Sequence, residues 1–214
     1  MSFLPDIATI LAFALASFVL AVTPGPDMAL QMSRAIHHGF WHGIAVGLGA
    51  MSGIVVHTTL AAVGISVLIV AAPAAFLALK IAGAGYLLWL AWRAVVHGGG
   101  LRLAAAGHDT PTIGQSYLTG LGINLLNPKV VLFFVTFLPQ FVDAHDPAAS
   151  QKLAFLGAEF IVISLPLLVA TVYFARWIAD AFRRSKWVER SLNWGFAGIF
   201  TAFAVTILTA QARH

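Results

Sequence analysis

The sequence predicts an all-α integral membrane protein: about six transmembrane helices in two inverted three-helix halves, with the first and fourth helices broken at proline. Three observations predict it. Of its 214 residues, 60% are hydrophobic and 9% charged, with a mean hydropathy of +0.90, whereas a soluble domain carries about 25% charged residues. Apolar stretches of roughly 20 residues, the length that crosses a bilayer, fill nearly the whole chain. Two of these stretches are interrupted half a chain apart, at Thr23-Pro24-Gly25-Pro26-Asp27 and at Asn127-Pro128-Lys129.

The spans are expected at about 4–22 (continuing past the break to 36), 43–70, 74–94, 113–138, 153–177 and 192–210. The first is expected to be retained, because Met1-Ser2-Phe3-Leu4-Pro5-Asp6 lacks the Lys or Arg of a signal-peptide n-region. The second opens on Gly39, Gly43 and Gly47, then Gly49 and Gly53. Glycines four apart share a helix face and permit close backbone approach, so they serve either helix packing or a glycine-lined substrate path. The remaining connections are 96–112, 139–152 and 178–191. The whole of 1–214 reads as one transmembrane transporter domain, with half repeats at about 1–95 and 113–210 joined by the loop 96–112. Three spans per half is odd, which gives the halves opposite topology.

Basic residues set the orientation. Arg34, Arg93, Arg102, Arg176, Arg183, Arg184, Lys186 and Arg190 fall on one side, against Lys152 and Arg213 on the other. Eight against two places 34–42, 96–112 and 178–191 in the cytoplasm, and 71–73, 139–152 and both termini outside. The formal net charge of +4 thus belongs to membrane-flanking loops, and no nucleic-acid partner is expected.

The breaks carry the chemistry. A proline in a helix interior removes an i→i−4 hydrogen bond, and hydrocarbon offers no water to replace it, so such breaks persist where protein or a polar cavity satisfies the backbone. Pro24 and Pro26 free the carbonyls of Leu20 and Val22, Gly25 permits unusual backbone angles, and Pro128 frees the carbonyl of Asn124. Freed carbonyls beside a half-helix N-terminus suit the ammonium and carboxylate of a zwitterion. Asp27, in the first turn after Pro26, fits three roles: proton acceptor, ammonium ligand or helix cap. Asn124 and Asn127, three residues apart, extend the polar patch. Lys129 costs roughly 2.5–3.5 kcal/mol at membrane depth and is expected to face protein or water, where it can pair with Asp27.

Three further polar residues lie within spans. Lys80 reads as a snorkelling or a functional lysine, Glu159 as a relay carboxylate or a rim residue, and His57 as a packing histidine or a proton carrier. His37, His38 and His42 resemble a metal cluster only superficially, since no carboxylate or Cys accompanies them, and no metal or other cofactor is expected. The chain has no Cys, which excludes disulfides and thiol chemistry. Phosphate-loop, zinc-protease and nucleophile-elbow motifs are also missing, so the chain reads as no enzyme and as no ATP-driven pump.

Taken together, Thr23-Pro24-Gly25-Pro26-Asp27, the run from Leu79-Lys80 through Gly83-Ala84-Gly85-Tyr86, Asn127-Pro128-Lys129-Val130-Val131-Leu132-Phe133-Phe134 and Pro139-Gln140-Phe141 resemble the LysE/RhtB family of amino-acid exporters over about residues 8–208. That resemblance implies a secondary carrier of the bacterial cytoplasmic (inner) membrane that expels amino acids using the proton gradient. A homodimer is implied by the resemblance alone. Its Pro-Gly-Pro element falls on Pro24, Gly25 and Pro26, and its Asn-Pro-Lys element on Asn127, Pro128 and Lys129. The rival reading is a non-transport membrane scaffold or a redox-partner subunit; missing Cys and paired His ligands count against the latter.

Overall fold

The computed structural model describes residues 4–65, 73–97, 110–143, 145–184 and 186–209, and every regular element among them is helical. Helix α1 (Ile7–Val22) starts on Asp6, whose carboxylate accepts from the Thr9 amide at 2.9 Å, a side-chain N-cap. After Thr23-Pro24-Gly25 the chain resumes as α2 (Pro26–His38), bent 53° from α1. Gly39 alone separates α2 from α3 (Phe40–Leu60), and its φ of +97° is one that favours glycine. Helix α3 runs on through one π-helical turn at Ala61–Ile65, and α4 spans Pro73–His97.

The second half repeats the interruption. Helix α5 (Ile113–Leu126) opens with a capping box between Thr112 and Gln115. Asn127 then ends α5 and caps α6 (Pro128–Leu132) through its side-chain oxygen. A π-helical turn at Phe133–Phe137 and a 3-10 turn at Leu138–Phe141 extend α6, and this arm is bent 52° from α5. Helix α7 (Ala149–Tyr173) carries Pro166 in its interior. Helices α8 (Ala175–Arg184) and α9 (Lys186–Thr209) complete the fold.

Among the described residues two helices are long and apolar enough to cross a membrane unaided, Phe40–Gly64 and Ala149–Tyr173, and the spans number up to four if each bent pair is one span. The 25-residue α4 packs against the 24-residue α9, whose apolar stretch is Ala197–Thr209. In the expected cytoplasmic loop 178–191, residues 178–184 and 186–191 are helical instead. Ala175, Ile178 and Ala179 recur at i, i+3 and i+4, and that apolar face packs on Met32, Ala35 and Ile36 of α2. Residues 34–42 are likewise two helix ends around Gly39 rather than a loop. Residues 66–72 and 98–109, within the expected spans and connections, lie outside the described set.

Helix α3 is the hub, packing on α2, α5 and α7. Lipid tails are as apolar as leucine, so helices associate through close packing and hydrogen bonds rather than a hydrophobic drive. The glycines of α3 provide that closeness. A Cβ on Gly49 would stand 2.0 Å from the Tyr117 carbonyl oxygen, and one on Gly120 of α5 would stand 2.2 Å from that of Val46. An aromatic cluster closes the other side: Phe13 lies edge-on to Phe141 at 5.2 Å, and Phe137 sits 4.5 Å from Phe203. Phe134, fully buried, sits 5.4 Å from Phe160 of α7. These rings tie α1, the α6 arm, α7 and α9 together and hold the two breaks against each other.

Candidate functional site

Each break holds the charge of the other. Asp27, at the second position of α2, accepts from Asn124 Nδ2 at 2.8 Å on one oxygen and from Asn127 Nδ2 at 3.0 Å on the other. Lys129 Nζ, at the second position of α6, donates to the Thr23 carbonyl at 2.9 Å and the Leu20 carbonyl at 3.3 Å. The placement is electrostatically favourable at both ends. A carboxylate sits in the first turn of one half-helix and an ammonium sits on the C-terminal carbonyls of another, each the sign its helix dipole stabilises. Both carboxylate oxygens of Asp27 accept from side-chain amides, which are donor-only partners at that atom.

The expected direct pairing of Asp27 with Lys129 is not formed. Among the described residues the ion pairs are Asp143–His145 and Asp146–Lys152. The two charges share one site but are bonded to neutral groups, because the asparagine amides and open carbonyls lie nearer to each than its opposite charge does. Of the two carbonyls expected to be freed by Pro24 and Pro26, Leu20 and Val22, Lys129 meets that of Leu20, and its second acceptor is Thr23. Thr23 has turned out of the helix, its hydroxyl returning to the Val19 carbonyl at 2.6 Å, which leaves its own carbonyl facing Lys129. Gly25 is where this approach is tightest, since a Cβ there would lie 3.2 Å from Lys129 Nζ.

Asn124 is the most confined member. It is 1% exposed. A Cβ on Gly53 would sit 2.3 Å from its Oδ1, and its carbonyl accepts from the Asn127 amide at 3.0 Å. His57 Nε2 lies 3.4 Å from the same carbonyl, and its ring stacks 5.9 Å from Phe134. His57 is thus buried against the second break.

Between the breaks lies a cavity of about 80 Å³, reached by Asp27, Lys129 and Asn124 on one side and by α3 and α7 on the other. Its α7 wall presents Phe160, Ser164, Leu168 and Thr171, not Glu159, whose buried Oε2 has no partner among the described residues. Gly47 of α3 opens onto it, so this glycine both packs, within 2.2 Å of Leu168 Cδ1 for an added Cβ, and lines the space. The Lys80 side chain lies outside the described set. His37, His38 and His42 stand at the α2–α3 corner with ring centroids 5.8–6.4 Å apart. His37 Nδ1 meets the Ser33 carbonyl at 2.9 Å and His42 Nδ1 meets Ser116 Oγ at 3.0 Å. No metal-ligating cluster occurs among the described residues.

Gln31 and Ser164 are among the cavity residues that escape sequence reasoning. Gln31 is buried and donates from Nε2 to the Leu168 carbonyl at 3.0 Å; its position four after Asp27 puts both on one face of α2. Two residues on from Ser164, Pro166 carries the same helix-interior proline signal as the breaks.

The LysE type translocator family model matches residues 18–211. The chain belongs to this family. It is a multi-pass membrane protein of translocator type. It is 32% identical over 206 residues to the homoserine/homoserine lactone efflux protein of Salmonella typhimurium, covering 95% of this chain and 96% of that protein, and the Salmonella typhi counterpart matches equally. An uncharacterised membrane protein of Pseudomonas aeruginosa is 28% identical over 212 residues, covering 92% and 94%. No solved structure matches the chain.

Proposed function

We propose that the chain is a secondary-active exporter of small amino acids or their close derivatives in the bacterial cytoplasmic membrane. Its substrate site is the cavity between the two breaks, and inward proton movement drives export. The observation that carries this reading is the exchange of charges, Asp27 held by Asn124 and Asn127, Lys129 held by Leu20 and Thr23. The efflux activity of the Salmonella relatives supports the direction and the class of substrate.

A zwitterion is the ligand that can substitute for both halves of this brace. Its carboxylate draws Lys129 from the carbonyls, and its ammonium draws Asp27 from the asparagine amides. The ammonium of Lys129 has three donors and uses two, so a first contact forms before either brace bond breaks. The braced carrier is empty and the loaded carrier is unbraced, which lets one half rock against the other about the site. Two inverted three-span halves meet this need, with α4 and α9 as the third span of each. The near-equal bends of 53° and 52° and the proline at the first position of both α2 and α6 support that reading. The eight-to-two bias of basic residues supports cytoplasmic placement of α8.

Proteoliposomes loaded with radiolabelled homoserine test the proposal. Release should accelerate when an imposed pH gradient drives protons inward and collapse with a protonophore. Release that requires ATP on the purified chain, or no release of any amino acid, overturns it.

A further inference from the structure

We infer that Ser164 forms a hydroxyl-recognising subsite that selects amino acids with a short hydroxylated side chain over their aliphatic isosteres. This rests on the reading of the cavity as the substrate site.

The hydroxyl is an exception to the pattern of this chain. Helical hydroxyls here return to the carbonyl four residues back: Thr136 to Leu132 at 2.7 Å, Thr201 to Ala197 at 2.7 Å and Thr59 to Val55 at 2.8 Å. That bond is the usual means of hiding a hydroxyl in an apolar setting. Ser164 is 4% exposed, and its Oγ has no partner among the described residues. Ser17 and Thr58 share this condition, yet neither borders the cavity; Thr58 is pressed on Gly157, where an added Cβ would stand 2.1 Å from its Cγ2. Ser164 does border it, as do Asp27 and Lys129.

The surroundings give this orphaned group its meaning. Phe160, Ser164 and Leu168 recur every four residues along α7 and present one face to the cavity, with Ile54 of α3 beside them. Ser164 thus places a hydroxyl among Phe160, Leu168 and Ile54 in the cavity that Asp27 and Lys129 also line, with Gln31 and Thr171 as the further polar residues near this wall. A substrate anchored at those charges directs its side chain to this patch. A side-chain hydroxyl meets Oγ there and both groups gain a partner. A methyl in its place leaves Oγ unpaired, and a site whose buried polar group is left unpaired rejects the analogue.

Proteoliposomes loaded with equal amounts of homoserine and norvaline, which differ by hydroxyl against methyl, separate the outcomes. The wild-type chain should release homoserine about tenfold faster than norvaline, the worth of roughly one hydrogen bond. Ser164→Ala should bring the ratio near one, and Ser164→Thr, which restores a hydroxyl, should recover the preference. An unchanged ratio in Ser164→Ala overturns the subsite, as does equal loss of both substrates in that variant, which assigns the serine to packing. Both results leave the exporter reading standing. A wild-type chain that moves neither amino acid overturns that reading and this inference together.

Discussion

Lys129 donates to the carbonyl of Thr23 at 2.9 Å, so the cation of the second break closes the open helix end of the first. The contact bridges 106 residues of sequence and makes the two interruptions one structure. Lys129→Met removes it and leaves the Thr23 carbonyl without its Lys129 donor, while the Leu20 carbonyl keeps only the Thr23 amide at 3.3 Å. We expect a loss of about 1–3 kcal/mol for the buried group left unmade, and no efflux. Lys129→Arg should insert normally yet transport poorly, because a planar fork does not reproduce a point ammonium. Efflux assays on variants matched for membrane insertion check both.

Pro128→Ala restores an amide that can donate to the Asn124 carbonyl. Pro128 stands at the first position of α6 rather than in a helix interior, where its missing amide costs little, so the variant should keep close to wild-type stability. Straightening α5 into α6 withdraws Asn127 and Lys129 from α1 and α2, and export should stop. A thermal-shift measurement in detergent paired with efflux checks both.

Gly53→Ala tests the confinement of Asn124. Its Cβ would meet Asn124 Oδ1 at 2.3 Å, and neither atom belongs to a flexible chain end. We expect about 1–3 kcal/mol of overpacking strain and displacement of the amide from Asp27, with export reduced at least tenfold. Gly122→Ala, where an added Cβ meets nothing within 4 Å, is the control and should behave as wild type.

Much of this site is legible in the chain. Pro24, Pro26 and Pro128 mark where backbone must be satisfied by something other than its own helix, and Asp27 and Lys129 are conspicuous in an apolar setting. What the residues do not reveal is who satisfies whom. Direct pairing of Asp27 with Lys129 is the simplest reading of two opposite charges; the exchange depends on where Asn124 and Thr23 point, which only the meeting of both breaks decides. Ser164 is silent for a different reason: a lone serine in a span ordinarily bonds its own helix. The stretch 178–191 reads as a loop from its arginines, although the spacing of Ala175, Ile178 and Ala179 carries the helix.

Asp146 gives a pH-dependent expectation away from the spans. The Lys152 side chain and the Ala148 amide hold its carboxyl below the usual carboxylate range. A carboxyl whose pKa is depressed by folding stabilises the fold above its unfolded value and loses that contribution as pH falls through the folded one. Asp146→Asn should therefore lower the melting temperature slightly at neutral pH, and the gap should close in acid, below about pH 4. Melting curves across pH measure it.

The cross-brace also orders the making of the protein. Asp27 enters the membrane 97 residues ahead of Asn124 and 100 ahead of Asn127. Throughout that interval of synthesis its carboxylate has neither amide, and the carbonyls of Leu20 and Thr23 have no ammonium. The early segment is a waiting piece, tolerable only until the late one arrives to complete it. A ribosome that stops short of Lys129 leaves exposed, unmatched polarity in the bilayer, the kind of defect that membrane quality control recognises and removes.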